Sequence, residues 1–134
     1  MTPVQVLLDP ASGEVDLSGT ADDYHALAAL LTAGGGTLPA EPDAVDAFGR
    51  TALSRIQVST APDRPVLISV DADGVLRISG AAASRAVLAS NVAAMAAAED
   101  GGHLHVEHFP DHPYLAEGSA SLIINSPHGG MPLR

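Results

Sequence analysis

The 134-residue chain is expected to fold as one α+β domain, a mainly antiparallel sheet with two helices packed on one face. Three observations carry this expectation. Apolar runs come in pairs joined by short turn-forming segments, two longer stretches have helical periodicity, and no regular strand-helix-strand alternation links them. At this length roughly two-thirds of the surface of the unfolded chain can be buried, so a core forms without staples. No linker divides the chain, which is read as a single domain over 1–134 with a mobile tail over 127–134, and no internal repeat is evident.

The elements follow in order. Val4-Gln-Val-Leu-Leu and Glu14-Val-Asp-Leu flank the turn Asp9-Pro-Ala-Ser-Gly13 and predict a first hairpin. Thr20 and Asp23 have the spacing of a capping box, with aspartate in place of glutamate. Tyr24, Leu27, Ala28 and Leu31 then share one helical face until Gly34-Gly-Gly36 stops the helix. Residues 37–49 have no clear period and read as a loop, with a short helical turn at Asp43–Phe48.

Leu53–Ser59, Pro65–Val70 and Val75–Ser79 follow as strands. Ala61-Pro-Asp-Arg and Asp71-Ala-Asp-Gly74 separate them, and the simplest reading is a three-stranded antiparallel meander. Ala81–Glu99 predicts the second helix, with Val87, Leu88, Val92 and Met95 on its apolar face and Gly101-Gly102 as its stop. The strand His103–Phe109, a loop holding Pro110 and Pro113, and the strand Ser121–Asn125 complete the series.

Composition removes several function classes. Sixteen carboxylates face six arginines and no lysine, for a net charge of −10, which repels phosphate backbones and anionic lipid surfaces. Nucleic acid and membrane are therefore not expected partners; a basic protein would be attracted instead, and an acidic surface kept for solubility is the simpler reading of the charge. Without cysteine there is no disulfide, thiolate zinc site or cysteine nucleophile. The N-terminus has neither a basic n-region nor a long apolar h-region, and the expected location is the cytoplasm.

Five of the six histidines lie in the last 32 residues, most densely in His103-Leu104-His105-Val106-Glu107-His108. On a strand, His103, His105 and Glu107 point to one face, while Leu104, Val106 and Phe109 serve the other. Such a face is a solvated surface, a polar partner-binding surface, or a metal site of two imidazoles and one carboxylate. Known metal families fit poorly. The metallo-β-lactamase pattern needs ligands far downstream, where 26 residues remain after His108. A cupin needs a glutamate where Phe109 and Pro110 stand, and a zinc deaminase needs cysteines. Asp71-Ala-Asp-Gly74 lacks the later ligands of a calcium loop. No phosphate loop or serine elbow is present, and neither catalytic residue nor cofactor is assigned.

Across Gly102-His-Leu-His-Val-Glu-His-Phe-Pro-Asp-His-Pro-Tyr-Leu-Ala-Glu-Gly-Ser-Ala-Ser-Leu-Ile-Ile the chain resembles the bacterial immunity protein 32 family, small α+β neighbours of toxins in polymorphic-toxin systems. The strand, hairpin and helix from about 53 to 99 fit in order and spacing. The resemblance implies a cytoplasmic, non-catalytic protein that binds and neutralises a cognate toxin, and the acidic surface suits a basic nuclease. The residues expected to meet the toxin are His103, His105, Glu107 and His108 on the strand, with Asp111, His112, Tyr114 and Glu117 on the loop that follows. Two alternatives stay open: a metal-binding protein or metal-dependent enzyme using His103, His105 and Glu107, and a homodimer formed through an exposed sheet edge.

Overall fold

The computed structural model describes residues 4–42, 49–98 and 102–127. The helical turn expected at Asp43–Phe48, the expected C-terminal tail beyond Pro127, and His128 lie outside these residues. The fold is α+β, as expected, with two helices and two mixed sheets among the described residues.

The first hairpin forms as expected from β1 (Gln5–Leu8) and β2 (Val15–Ser18), paired antiparallel with Val6 opposite Leu17. Helix α1 (Ala21–Ala33) starts on the capping box: Thr20 Oγ1 accepts from the Asp23 amide at 3.1 Å, and Asp23 Oδ2 accepts from the Thr20 amide at 2.9 Å. It ends on Gly34, whose φ of 90° lets its amide reach back to Leu30 O. All four expected core residues of α1, Tyr24, Leu27, Ala28 and Leu31, are buried. Burial pushes the Tyr24 phenol well above its ordinary range, so it stays a neutral donor, to the carbonyl of Asn125.

After this helix the structure differs from the arrangement the sequence pattern predicts. Residues Gly36–Pro39, read as loop, form β3. The expected strand Leu53–Ser59 forms over Arg55–Thr60 as β5, Leu53 and Ser54 lie outside any strand, and a further short strand, β4 (Thr51–Ala52), precedes them. Strands β6 (Leu67–Val70) and β7 (Val75–Gly80) make the expected hairpin, but β5 is not the next strand of a meander. It lies parallel to β7 on the opposite side from β6, in the order β3-β5-β7-β6. Alternation identifies a strand and its buried face without specifying its neighbour. Here β5 and β7 are the two inner strands, and Ile56 of β5 and Leu76 and Ile78 of β7 are fully buried.

Helix α2 (Ala82–Ala96) buries Arg85, Leu88, Ala89, Val92 and Ala96. Val87, expected in the core, is 44% exposed because that stripe runs one position to the side of it. Strands β8 (His103–Val106) and β9 (Leu122–Asn125) form the last hairpin, and β9 runs parallel to β2 in the five-stranded sheet β4-β1-β2-β9-β8. Five of the seven strand pairings among the described residues are antiparallel, so "mainly antiparallel" holds, but across two sheets rather than one.

The two sheets reveal a repeat that was not evident in the sequence. Each half of the chain is a hairpin, a helix and a second pair of strands (β3 and β5, then β8 and β9), the first half adding the short β4 beside β1, and each hairpin pairs with the second pair of the other half. Strand β2 thus takes β9 as its parallel neighbour, and β7 takes β5. Leu17-Ser18-Gly19 before α1 matches Ile78-Ser79-Gly80 before α2. The buried positions of α1, Tyr24, Leu27, Ala28 and Leu31, fall on Arg85, Leu88, Ala89 and Val92, each 61 positions later. Hydroxyls at the ends of the last strands also play similar parts: Thr60 Oγ1, on the last residue of β5, donates to Gly34 O at 2.8 Å, and Ser126 Oγ, just after β9, donates to Ala98 O at 3.0 Å, each near the end of a helix. The helices pack on each other, and one continuous core takes side chains from both helices and both sheets.

Candidate functional site

The histidine strand β8 is an edge of the five-stranded sheet. Alternation works there as the sequence implies: Val106 is buried, Leu104 is half-buried, and His103 and His105 are exposed. Their rings meet edge-on with centroids 4.6 Å apart. Opposite them stand Asn125 and Ile123 of β9. The Asn125 amide nitrogen contacts Asp16 Oδ1, Ser18 Oγ and Leu17 O at 2.7–3.1 Å, and Asp16 pairs with Arg50 at 3.4 Å. This outward face is thus a supported polar surface. Among the described residues, no group of three histidine, aspartate or glutamate side chains is arranged to hold a metal ion. Glu107 lies beyond the end of β8.

The loop 107–121 runs from that edge to the other sheet. Leu115 bridges to Val66 beside β6, with Val66 N donating to Tyr114 O at 2.8 Å and Ala116 N to Val66 O at 2.7 Å. Farther along, Ala120 N reaches Ile68 O, and Ser119 Oγ accepts from Ile68 N. The loop is therefore fastened along the strand by ladder-like bonds as well as by its prolines.

His112 organises the tip. Its amide donates to Phe109 O at 3.0 Å, closing a turn in which Asp111 takes a φ of 65°. Its Nδ1 accepts from the amides of Tyr114 at 3.2 Å and Leu115 at 3.0 Å, which requires that nitrogen to be unprotonated. Desolvation and the neighbouring His108, stacked at 6.3 Å, hold the His112 pKa below the ordinary histidine range. The rings of Phe109 and Tyr114 pack on His112 at 4.6 and 4.7 Å.

Two expected positions change their meaning. Tyr114, expected to present its ring to a partner, is 8% exposed, and its hydroxyl accepts from Asn91 Nδ2 of α2 at 3.2 Å. It anchors the loop. Phe109, expected on the inward face with Leu104 and Val106, is 53% exposed because β8 ends at Val106 and the alternation lapses there. Glu107, Asp111 and Glu117 are exposed, and His108 and His112 are half-buried. The support from Asn91, Val66 and Ile68 had no signal in the sequence, since all three lie far from the loop along the chain.

A hollow of about 370 Å³ lies at the far end of the loop, lined by Ser12, Ser69, Ser119 and Ser121 among others, with no titratable side chain in its wall. General acid–base chemistry needs such a group within reach of the reacting atom. The described residues include no helix long and apolar enough to cross a membrane.

Residues 75–127 match the Immunity protein 32 family. The Immunity protein 32 match spans 53 of the 134 residues, beginning at the first residue of β7 and ending two residues after β9. It therefore contains α2, the histidine strand, the whole loop and the strand that closes it. The hairpin and helix of the first half lie outside it. No curated protein and no solved structure matches the chain.

Proposed function

We propose that this chain is an immunity protein that binds a cognate bacterial toxin in the cytoplasm and blocks it, with no catalysis of its own. The observation that carries the reading is the Immunity protein 32 match, because it covers the candidate surface from the histidine strand to the end of the loop. The surface consists of His103, His105, Glu107, His108, Asp111, His112 and Glu117, and the buried ring of Tyr114 supports it. Charge favours a basic toxin such as a nuclease: with a net charge of −10, long-range attraction speeds encounter and the carboxylates can occupy phosphate subsites.

The test is a binding titration with the purified toxin domain encoded beside this chain's gene, together with co-expression of the two. The expected result is a stoichiometric complex, rescue of growth, and an association rate that falls steeply between about 50 and 500 mM salt. Absence of any complex defeats the proposal. A complex with salt-independent association defeats only its electrostatic part.

A further inference from the structure

Resting on the immunity reading, we propose that Phe109 is the anchor of the interface, and that it fits an apolar pocket rimmed by arginine or lysine on the toxin. Among the described residues three large apolar side chains are exposed, Leu67, Val87 and Phe109, and Phe109 is the most exposed and the only aromatic one. It is also held in place. Its carbonyl closes the turn with the His112 amide, its ring lies 4.6 Å from that of His112, and Pro110 follows it directly. His112 in turn is fixed by the amides of Tyr114 and Leu115, which are buried and joined to α2 and to Val66.

A large ring presented by a pre-set turn loses little freedom on binding, and buried aromatic anchors of this kind carry a disproportionate share of interface energy. The surroundings specify the partner's rim. Glu107 and Asp111, two residues to either side of Phe109 in the chain, are exposed, and the sequence from residue 86 to 133 contains neither lysine nor arginine. An apolar pocket with an acidic border is repelled here, and one with a basic border is drawn in. A second copy of this chain would bring acidic borders against acidic borders and is disfavoured on the same ground.

The experiment measures binding of the purified toxin domain encoded beside the gene to wild type, Phe109→Ala, Glu107→Gln/Asp111→Asn and Val87→Ala, with thermal melts to confirm folding. Phe109→Ala is expected to weaken the complex by about 30-fold or more, mainly by faster dissociation. The double variant is expected to slow association about tenfold at low salt, with the difference vanishing near 0.5 M salt. Val87→Ala is expected to bind as wild type does. If Phe109→Ala melts early, Phe109→Leu replaces it, with an intermediate loss expected. A wild-type complex that Phe109→Ala weakens less than threefold overturns the anchor and leaves the immunity reading standing. Absence of the wild-type complex overturns both. A concentration-dependent homodimer abolished by Phe109→Ala assigns the ring to self-association and overturns the proposed partner.

Discussion

Replacing Arg85 with methionine is expected to destabilise the protein by about 2–3 kcal/mol. Arg85 is 4% exposed on α2, and its guanidinium donates from Nε to Gly80 O at 2.8 Å and from Nη1 to Leu31 O at 2.6 Å. Bonds from a charged donor contribute roughly 1.5–3 kcal/mol each. The two acceptors are not equally dependent on it. Gly80 O also accepts from the Ala61 amide, whereas Leu31 O lies in the last turn of α1, where intrahelical donors run out and a cation complements the helix dipole. Methionine keeps most of the apolar stem and relieves the desolvation of the charge, which offsets part of the loss. What remains is one carbonyl deprived of its donor and one lost helix-end interaction. For a chain of this size that lowers Tm by roughly 6–15 °C. Urea unfolding of wild type, Arg85→Met and Arg85→Lys measures it, with unchanged m-values expected. Lysine, a single point charge, should recover less than half of the difference. A loss below about 0.5 kcal/mol for methionine, or full recovery by lysine, refutes the account.

Three further outcomes are expected. Because the folded-state pKa of His112 is lowered, the folded protein holds fewer protons there than the unfolded chain. That contribution is present above the ordinary histidine pKa of about 6.5 and lost as pH falls through the lowered value. Tm is therefore expected to drop from pH 7.5 to 5.5 more in wild type than in His112→Asn, which keeps an acceptor that does not titrate; equal drops count against the assignment. Gly80→Ala places a Cβ 2.9 Å from Val66 Cα and 3.1 Å from Val66 N, so the backbone must move, at a cost of roughly 1–3 kcal/mol read by urea unfolding. Finally, fragments 1–62 and 63–134 each lack the strand that completes their sheets. Circular dichroism should show little structure in either alone and native-like structure on mixing, and a fragment folded by itself contradicts the exchanged pairing.

Local chemistry was legible in the sequence. Thr20 and Asp23 cap a helix because a hydroxyl and a carboxylate three residues apart reach each other's amides whatever the rest of the chain does. Gly34 ends the helix because a residue without Cβ tolerates positive φ, and the alternation in His103-Leu104-His105-Val106 sets which side faces the core. The family resemblance at residues 102–124 falls within the matched span 75–127. Tertiary contact decided the rest. Parallel pairing of β2 with β9 and of β5 with β7 depends on which hydrophobic face meets which across the intervening residues 19–121 and 61–74, and alternation carries no partner label. Arg85 is buried because the end of another helix supplies its acceptor, Tyr114 because Asn91 and Val66 stand beneath it, and Phe109 is exposed because its strand stops three residues earlier. The histidine strand marked where to look, and the packing of the loop behind it determined which side chains remain available to a partner.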